Sequence, residues 1–208
     1  MIRSIECTLV GDGSSDKMLI YPIRWLLREL FPTYAINIEF ADLRGQISSR
    51  SPLEERINVA LDLYPCNFLF IHRDSEGRPI NEREAEIENA IRRSRHPDFS
   101  YVAVIPVRMT EAWFLHSEGA IRIAAGNPNG RAVLELPNAR NLHEIADPKA
   151  RLEELLRTAT GLNRRRLRSF HPRKQMHRLA EIIEDYSVLR NQEAFQLVEN
   201  QVKRFNVP

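Results

Sequence analysis

Cysteine is scarce in this chain, and long apolar runs are missing. Only two cysteines occur among 208 residues, and neither has a second cysteine at metal-ligand spacing. A disulfide framework and a zinc knuckle are therefore excluded. No run reaches the roughly 18 apolar residues that a membrane-spanning helix requires, so no membrane span is expected. The first residues enter a strand-like pattern without a basic region and a long apolar stretch, which predicts no secretory signal and a cytoplasmic location.

The composition is that of an ordinary globular protein. Hydrophobic residues make up 43% of the chain and charged residues 28%, which argues against a collagenous or disordered chain. A length of 208 residues suits one full domain with a modest addition.

Two periodicities alternate in the first half of the chain. Short apolar runs predict strands, and the segments between them show helical spacing. The predicted strands are 5–10, 35–43, 67–72 and 101–107, and the predicted helices are 18–30, 51–63 and 81–95. This order predicts an α/β fold with a mostly parallel, Rossmann-like sheet flanked by helices. Pro106 indicates that the last strand lies at an edge of the sheet or ends there.

The second half is helical. The pattern predicts a helix over 111–125, a loop rich in Gly, Pro and Asn over 126–130, and helices near 148–160, 172–185 and 192–205. We therefore expect an α/β core over 1–125 and a helical extension over 126–208.

A basic stretch occupies residues 161–178 of the extension, and no Asp or Glu interrupts it. Its members are Arg164, Arg165, Arg166, Arg168, Arg173, Lys174 and Arg178. Such a concentration of positive charge predicts contacts with the phosphates of nucleic acid. A solvated helix face with its preceding loop is the other interpretation.

Acidic residues follow three of the four predicted strands: Asp12 and Asp16 after the first, Asp74 and Glu76 after the third, and Glu111 after the fourth. The carboxyl ends of parallel strands meet at one edge of a sheet, which is where ligands bind in open α/β folds. Carboxylates are the ligands that Mg²⁺ and Mn²⁺ prefer, so the pattern predicts a metal site. Each acid taken alone also fits a turn, a helix cap or a favourable first-turn position.

Two short motifs resemble those of a known family. GDGSSD at 11–16 and DSE at 74–76 resemble the Toprim domain of topoisomerases, primases and overcoming-lysogenization-defect family nucleases. TEAWFL at 110–115 and the segment 147–170 are similar to a Toprim-like prokaryotic family that is often encoded beside an ATPase. Two positions depart from the Toprim pattern, since Asp12 stands where the family has Glu and Glu76 replaces its second Asp.

The resemblance implies a metal-dependent phosphodiester nuclease that works with an ATPase partner in prokaryotic (phage) defence or mobile-element biology. Asp12, Asp74 and Glu76 would be catalytic and would hold Mg²⁺ or Mn²⁺, with Asp16 and Glu111 as further metal ligands. Arg73, Arg108 and Arg44 lie near the same sheet edge and would stabilise the phosphate in the transition state.

Two alternatives remain open at this point. The chain could be a catalytically weak Toprim-like module that binds nucleic acid or a partner protein. It could also be a small-molecule phosphohydrolase, which would need the metal site but not the basic stretch.

Overall fold

A four-stranded, all-parallel sheet forms the centre of the molecule. The computed structural model describes residues 3–48 and 50–205. The strands are β1 (Ser4–Val10), β2 (Ala35–Phe40), β3 (Phe68–His72) and β4 (Tyr101–Val104), in the order β2-β1-β3-β4. The predicted α/β class and the parallel sheet are confirmed.

Eight α-helices are found in the described part of the chain. They are α1 (Ile20–Leu30), α2 (Leu53–Leu63), α3 (Ile80–Arg93), α4 (Glu118–Ala124), α5 (Pro148–Ala159), α6 (Arg164–Leu167), α7 (Pro172–Ile182) and α8 (Glu193–Val202). Four 3-10 helices cover Ser14–Leu19, Thr110–Phe114, Ala139–Glu144 and Ser187–Asn191. None of the helices within 3–48 and 50–205 is long and apolar enough to cross a membrane.

The helix predicted over 111–125 is wrong in one respect, because the segment is divided. The 3-10 helix Thr110–Phe114 ends first, and α4 begins only at Glu118. Ser117 separates the two, since its hydroxyl accepts a hydrogen bond from the Ala120 N–H at 3.4 Å and so caps α4.

The two outer strands end earlier than predicted. β2 stops at Phe40 and β4 at Val104, two residues before Pro106. β4 lies at the sheet edge, as Pro106 indicated. The N–H of Ala103 on this edge donates to Gln201 Oε1 at 2.8 Å, so α8 satisfies a group that an edge strand would otherwise expose.

Each face of the sheet is covered by its own apolar core. Leu69 and Ile71 of β3 pack with Ile57 of α2 and Ile87 of α3 on one face. On the other face, α1 and the helices after residue 126 share one core with β1, β3 and β4. The predicted extension thus packs directly on the sheet. The stacked rings of Phe68 and Phe205, 4.1 Å apart, are part of this packing.

Candidate active site

The site lies at the carboxyl edge of the two central strands. From β1 the chain moves outward to β2, whereas from β3 it moves in the opposite direction to β4. The carboxyl ends of β1 and β3 therefore flank the point where strand order reverses, the usual ligand-binding position in such sheets. Val10 pairs with Ile71 in this register, so Asp12 and Asp74 follow neighbouring strand ends.

Asp16 organises the loop that leaves β1. Its carboxylate is buried, and Oδ2 accepts hydrogen bonds from the N–H groups of Asp12 at 2.7 Å and Gly13 at 2.8 Å. Asp16 also approaches Gly11 closely, because a Cβ built on Gly11 would lie 2.7 Å from Asp16 Cβ. Only glycine fits at position 11 while Asp16 keeps these bonds.

We expect Gly11→Ala to destabilise the fold by about 1–3 kcal/mol, the usual cost of forcing an extra methyl group into a packed site. Gly13→Ala is the matched control, because its Cβ would meet only Ser15 Oγ at 3.8 Å, an ordinary contact. Urea unfolding of the two variants compares the free energies. Equal stability of the two would show that the contact between Gly11 and Asp16 does not constrain the loop.

A buried histidine lies between two carboxylates at the end of β3. His72 is 1% exposed, and its Nδ1 donates to the Val104 carbonyl at 3.0 Å. Its Nε2 lies 3.4 Å from Asp74 Oδ1 and 3.8 Å from Asp16 Oδ2. Thr110 Oγ1 is 3.3 Å from the same nitrogen. His72 therefore connects the acid after β1 with the acid after β3.

Opposing electrostatic effects act on Asp74. Burial raises the pKa of its carboxyl, the neighbouring His72 lowers it, and the carboxylates of Asp16 and Glu111 raise it further. The net pKa shift is upward, although Oδ1 accepts a hydrogen bond from the Thr110 N–H at 3.1 Å. A cation placed beside Asp74 would relieve this conflict.

Glu111 connects the site to the helical extension. It is 4% exposed and forms an ion pair with Lys149 Nζ of α5 at 3.0 Å. The hydrogen bond to Glu153 is the main cause that raises the pKa of Arg173 on α7. The charge of Glu111 raises the pKa of Arg173 further.

Arginines hold Asp12. Arg56 Nη1 lies 2.7 Å and Arg73 Nη1 2.5 Å from Asp12 Oδ1, and Arg56 also donates to the Gly11 carbonyl. Burial lowers the pKa of Arg73, but Asp12 and Glu86 outweigh that effect and the net pKa is raised. The Arg73 guanidinium therefore stays charged.

The ion pairs continue to Glu76. Arg73 Nη2 contacts Glu86 Oε1 at 2.8 Å, and Arg83 Nη1 contacts Glu86 Oε2 at 2.6 Å. Arg83 Nη2 then binds Glu76 Oε2 at 2.8 Å. The side chain of Glu76 is 68% exposed, and its backbone has a φ of 52°. Glu76 is thus turned towards α3 by Arg83.

Of the three arginines predicted to contact phosphate, Arg73 alone contacts a predicted catalytic acid within the described residues. Arg44 is exposed and pairs with Asp42, where the hydrogen bond from Arg44 lowers the pKa of Asp42 to about 2. Arg108 is exposed with a φ of 65°, and it is its backbone N–H that donates, to Ser75 Oγ at 2.7 Å.

Sequence reasoning missed Arg56, which contacts Asp12. One signal could have found it: α2 follows β2, so the first turn of α2 lies at the carboxyl edge of the sheet, and Arg56 is the fourth residue of α2.

Five acids are predicted to bind Mg²⁺ or Mn²⁺: Asp12, Asp16, Asp74, Glu76 and Glu111. The charges of Asp16 and Glu111 both raise the pKa of Asp74, and carboxylates suit these ions. Asp12 and Glu76 are each bound by arginine, and Glu111 is bound by Lys149. No group of three or more His, Cys, Asp or Glu side chains within 3–48 and 50–205 is arranged to hold a metal ion.

The basic side chains of the stretch are exposed, and its C-terminal part, in α7, lies beside the site. His177 Nε2 of α7 is 3.3 Å from the Ser14 carbonyl oxygen, next to the segment that carries Asp16. Arg173 pairs with Glu153 at 2.7 Å. The other basic side chains of the stretch form no ion pair or hydrogen bond with any described residue; they are Arg164, Arg165, Arg166, Arg168, Lys174 and Arg178.

Comparison of the chain with family models, with curated proteins and with solved structures gives no match.

Proposed function

We propose that this chain is a metal-dependent phosphodiesterase that cleaves nucleic acid. The observation that carries the proposal is the position of the Asp16 and Asp74 carboxylates on either side of buried His72 at the reversal point of the sheet, with the charge of Glu111 also acting on Asp74. A carboxyl group whose pKa is raised by burial and by neighbouring carboxylates is a candidate functional group when it lies in such a position. The resemblance to Toprim motifs supports the same chemistry.

Asp74 is the central residue in this proposal. Asp74 would bind Mg²⁺ or Mn²⁺ beside the charges of Asp16 and Glu111, and the ion would polarise the scissile phosphate and lower the pKa of the attacking water. Lys149, Arg56 and Arg73 supply positive charge around the acids and would offset the charge of the phosphate. His72 keeps the acids after β1 and β3 at a fixed separation.

The basic stretch would deliver the polymer to this site. An acidic site repels a polyanion, so a nearby positive surface favours substrate binding. The stretch begins in α6 and continues into α7, which contacts the segment that carries Asp16.

Cleavage assays test the proposal. Single-stranded and duplex DNA and RNA are incubated with the purified chain in Mg²⁺, in Mn²⁺ and in EDTA, with and without the ATPase that the resemblance implies as partner. We expect products in Mg²⁺ or Mn²⁺ and none in EDTA. Cleavage that persists in EDTA would contradict the metal requirement.

Neutralising part of the basic stretch tests its role in binding. We expect the triple Arg→Gln variant at 164, 165 and 168 to flatten the log–log salt dependence of binding by about two to three units, because each phosphate contact contributes about 0.7–0.9. All sequences should be affected alike, since phosphate contacts carry no sequence information. Affinity for a short duplex and a single strand is measured across a salt series.

A matched control replaces three exposed arginines elsewhere, namely Arg92, Arg95 and Arg131. This variant should keep the slope of the unmodified chain. An unchanged slope in the variant of 164, 165 and 168 would assign these arginines to a partner protein or to solvent.

A second candidate function is a non-catalytic module that binds nucleic acid or a partner. The observation that favours it is the pairing of Asp12 with Arg56 and Arg73 and of Glu76 with Arg83, which leaves two of the three predicted catalytic acids bound to arginines. The same assays decide between the two, because a binding module retains affinity and yields no product in any metal.

A further inference from the structure

Two arginines converge on one point at the sheet edge. Arg56 of α2 and Arg73 after β3 both place Nη1 within 2.7 Å of the same atom, Asp12 Oδ1. Arg56 comes from α2, which packs against β1, and Arg73 directly follows β3, so their meeting is a property of the fold. Two guanidinium groups that share one acceptor oxygen provide the geometry with which proteins bind phosphate oxygens.

Both guanidinium groups are held in position. The Arg56 side chain is 13% exposed and the Arg73 side chain 23%. Arg73 is fixed from behind by Glu86, and Arg56 by its bond to the Gly11 carbonyl. A site arranged in advance loses less conformational entropy when an anion binds.

A cavity gives access to the pair. Arg56 and Arg73 line a space of about 310 Å³ together with Arg93, and the acids on its wall are Glu54 and Glu86. Three positive and two negative side chains thus surround the space. Once the Asp12 carboxylate, which binds both Arg56 and Arg73, has moved away, this charge balance favours an anion over a cation.

An anion could displace the Asp12 carboxylate from between Arg56 and Arg73. Its side chain is 39% exposed, much more than either arginine. It also lines a neighbouring cavity of about 110 Å³, so the carboxylate has space into which it can move. An anion with more charge and more oxygens than a carboxylate would compete well for the two guanidinium groups.

We infer that Arg56 and Arg73 form a binding site for a phosphate monoester, and that the Asp12 carboxylate takes the place of the phosphate in this structure. A monoester carries a charge of about −1.5 to −2, which matches two guanidinium groups better than the single charge of a diester. The arginine site itself is independent of hydrolysis. The choice of a 5′-phosphorylated nucleic-acid end as carrier rests on the proposed function.

The first probe is inorganic phosphate, titrated into the protein in EDTA. Its binding is measured by NMR, from the amide signals of residues 11–13 and the Nε signals of the arginines. We expect Arg56→Gln to weaken phosphate binding roughly tenfold or more, as loss of a charged hydrogen bond does. Asp12→Asn should strengthen it at least about fivefold, because the competing charge is removed. Arg92→Gln is the control, since Arg92 pairs with Glu88 in its own helix and should leave the affinity unchanged.

The opposite signs of the two variants keep the test independent of folding defects. Unchanged affinity in Arg56→Gln, or no gain in Asp12→Asn, would overturn the inference and leave a structural ion pair. A second arm compares a 5′-phosphorylated with a 5′-hydroxyl oligonucleotide in EDTA. Preference for the first supports a nucleic-acid end, and equal binding of both assigns the site to free phosphate.

The cleavage assay separates this inference from the proposed function. Phosphate binding without cleavage in any metal contradicts the proposed function alone. Cleavage with no phosphate binding by the arginine pair contradicts this inference alone.

Discussion

Asp74→Asn should lower metal-dependent cleavage on the order of 10³-fold or more, the loss that removal of a central catalytic group causes. The variant has almost the same shape, and its Oδ1 can still accept the Thr110 N–H that lies 3.1 Å away. It removes the negative charge with which a metal ion would interact. Initial rates in Mg²⁺ and Mn²⁺ give the measurement.

The same variant should be at least as stable as the unmodified chain near neutral pH. The pKa of Asp74 is raised in the folded state, chiefly by burial, so folding disfavours its ionised form. The chain therefore gains stability as the pH falls through the folded pKa, and Asp74→Asn removes that gain. Urea unfolding at several pH values measures both effects. A large loss of stability in Asp74→Asn would mean that the carboxylate has a structural role.

Asp98→Asn is the matched control for activity. Asp98 is exposed and lies in the loop before β4, at the amino edge of the sheet. The Asp98→Asn variant should cleave nucleic acid at the same rate as the unmodified chain. Full activity in Asp74→Asn would remove Asp74 from the set of metal ligands and with it the basis of the proposed site.

Much of the fold could be predicted because the sheet is buried on both faces. Every residue of β3 is buried, and that continuous apolar run is visible in the sequence. The segment 111–125, predicted as one helix, is divided in the structure. The division depends on one side-chain hydrogen bond, by which Ser117 caps α4, and the apolar periodicity does not reveal it. Apolar periodicity predicts the presence of a helix or strand more reliably than the residues at which it begins and ends.

The site could be predicted only in part. The positions at which the strands end predict that the acids lie at the carboxyl edge of the sheet. They do not predict which basic side chain pairs with each acid. Arg56 and Arg83 come from helices, and a one-residue difference in their position would change their partners. His72 is the last residue of a fully buried strand, so its burial was visible in the sequence, whereas its contact with Asp16 depends on the loop after β1.

The helical extension should be needed for the stability of the whole molecule, because its apolar side chains belong to the core that covers one face of the sheet. Phe195 of α8 is fully buried, and its ring lies 5.3 Å from that of Trp113 in an edge-on arrangement. Trp113 is two residues from Glu111 in the same 3-10 helix. A change at Phe195 therefore acts on the element that carries an acid of the candidate site.

We expect Phe195→Ala to lower the free energy of unfolding by about 3–5 kcal/mol, the usual loss when a buried phenylalanine is truncated. Ile123→Ala is the control, because Ile123 of α4 is 39% exposed and its truncation leaves little buried space. Urea unfolding should show one transition for both variants, with the midpoint shifted far more in Phe195→Ala. Two separate transitions would indicate that residues 126–208 fold apart from the sheet. A loss below about 1 kcal/mol in Phe195→Ala would indicate the same, because a shared core transmits the full cost of a cavity to both parts.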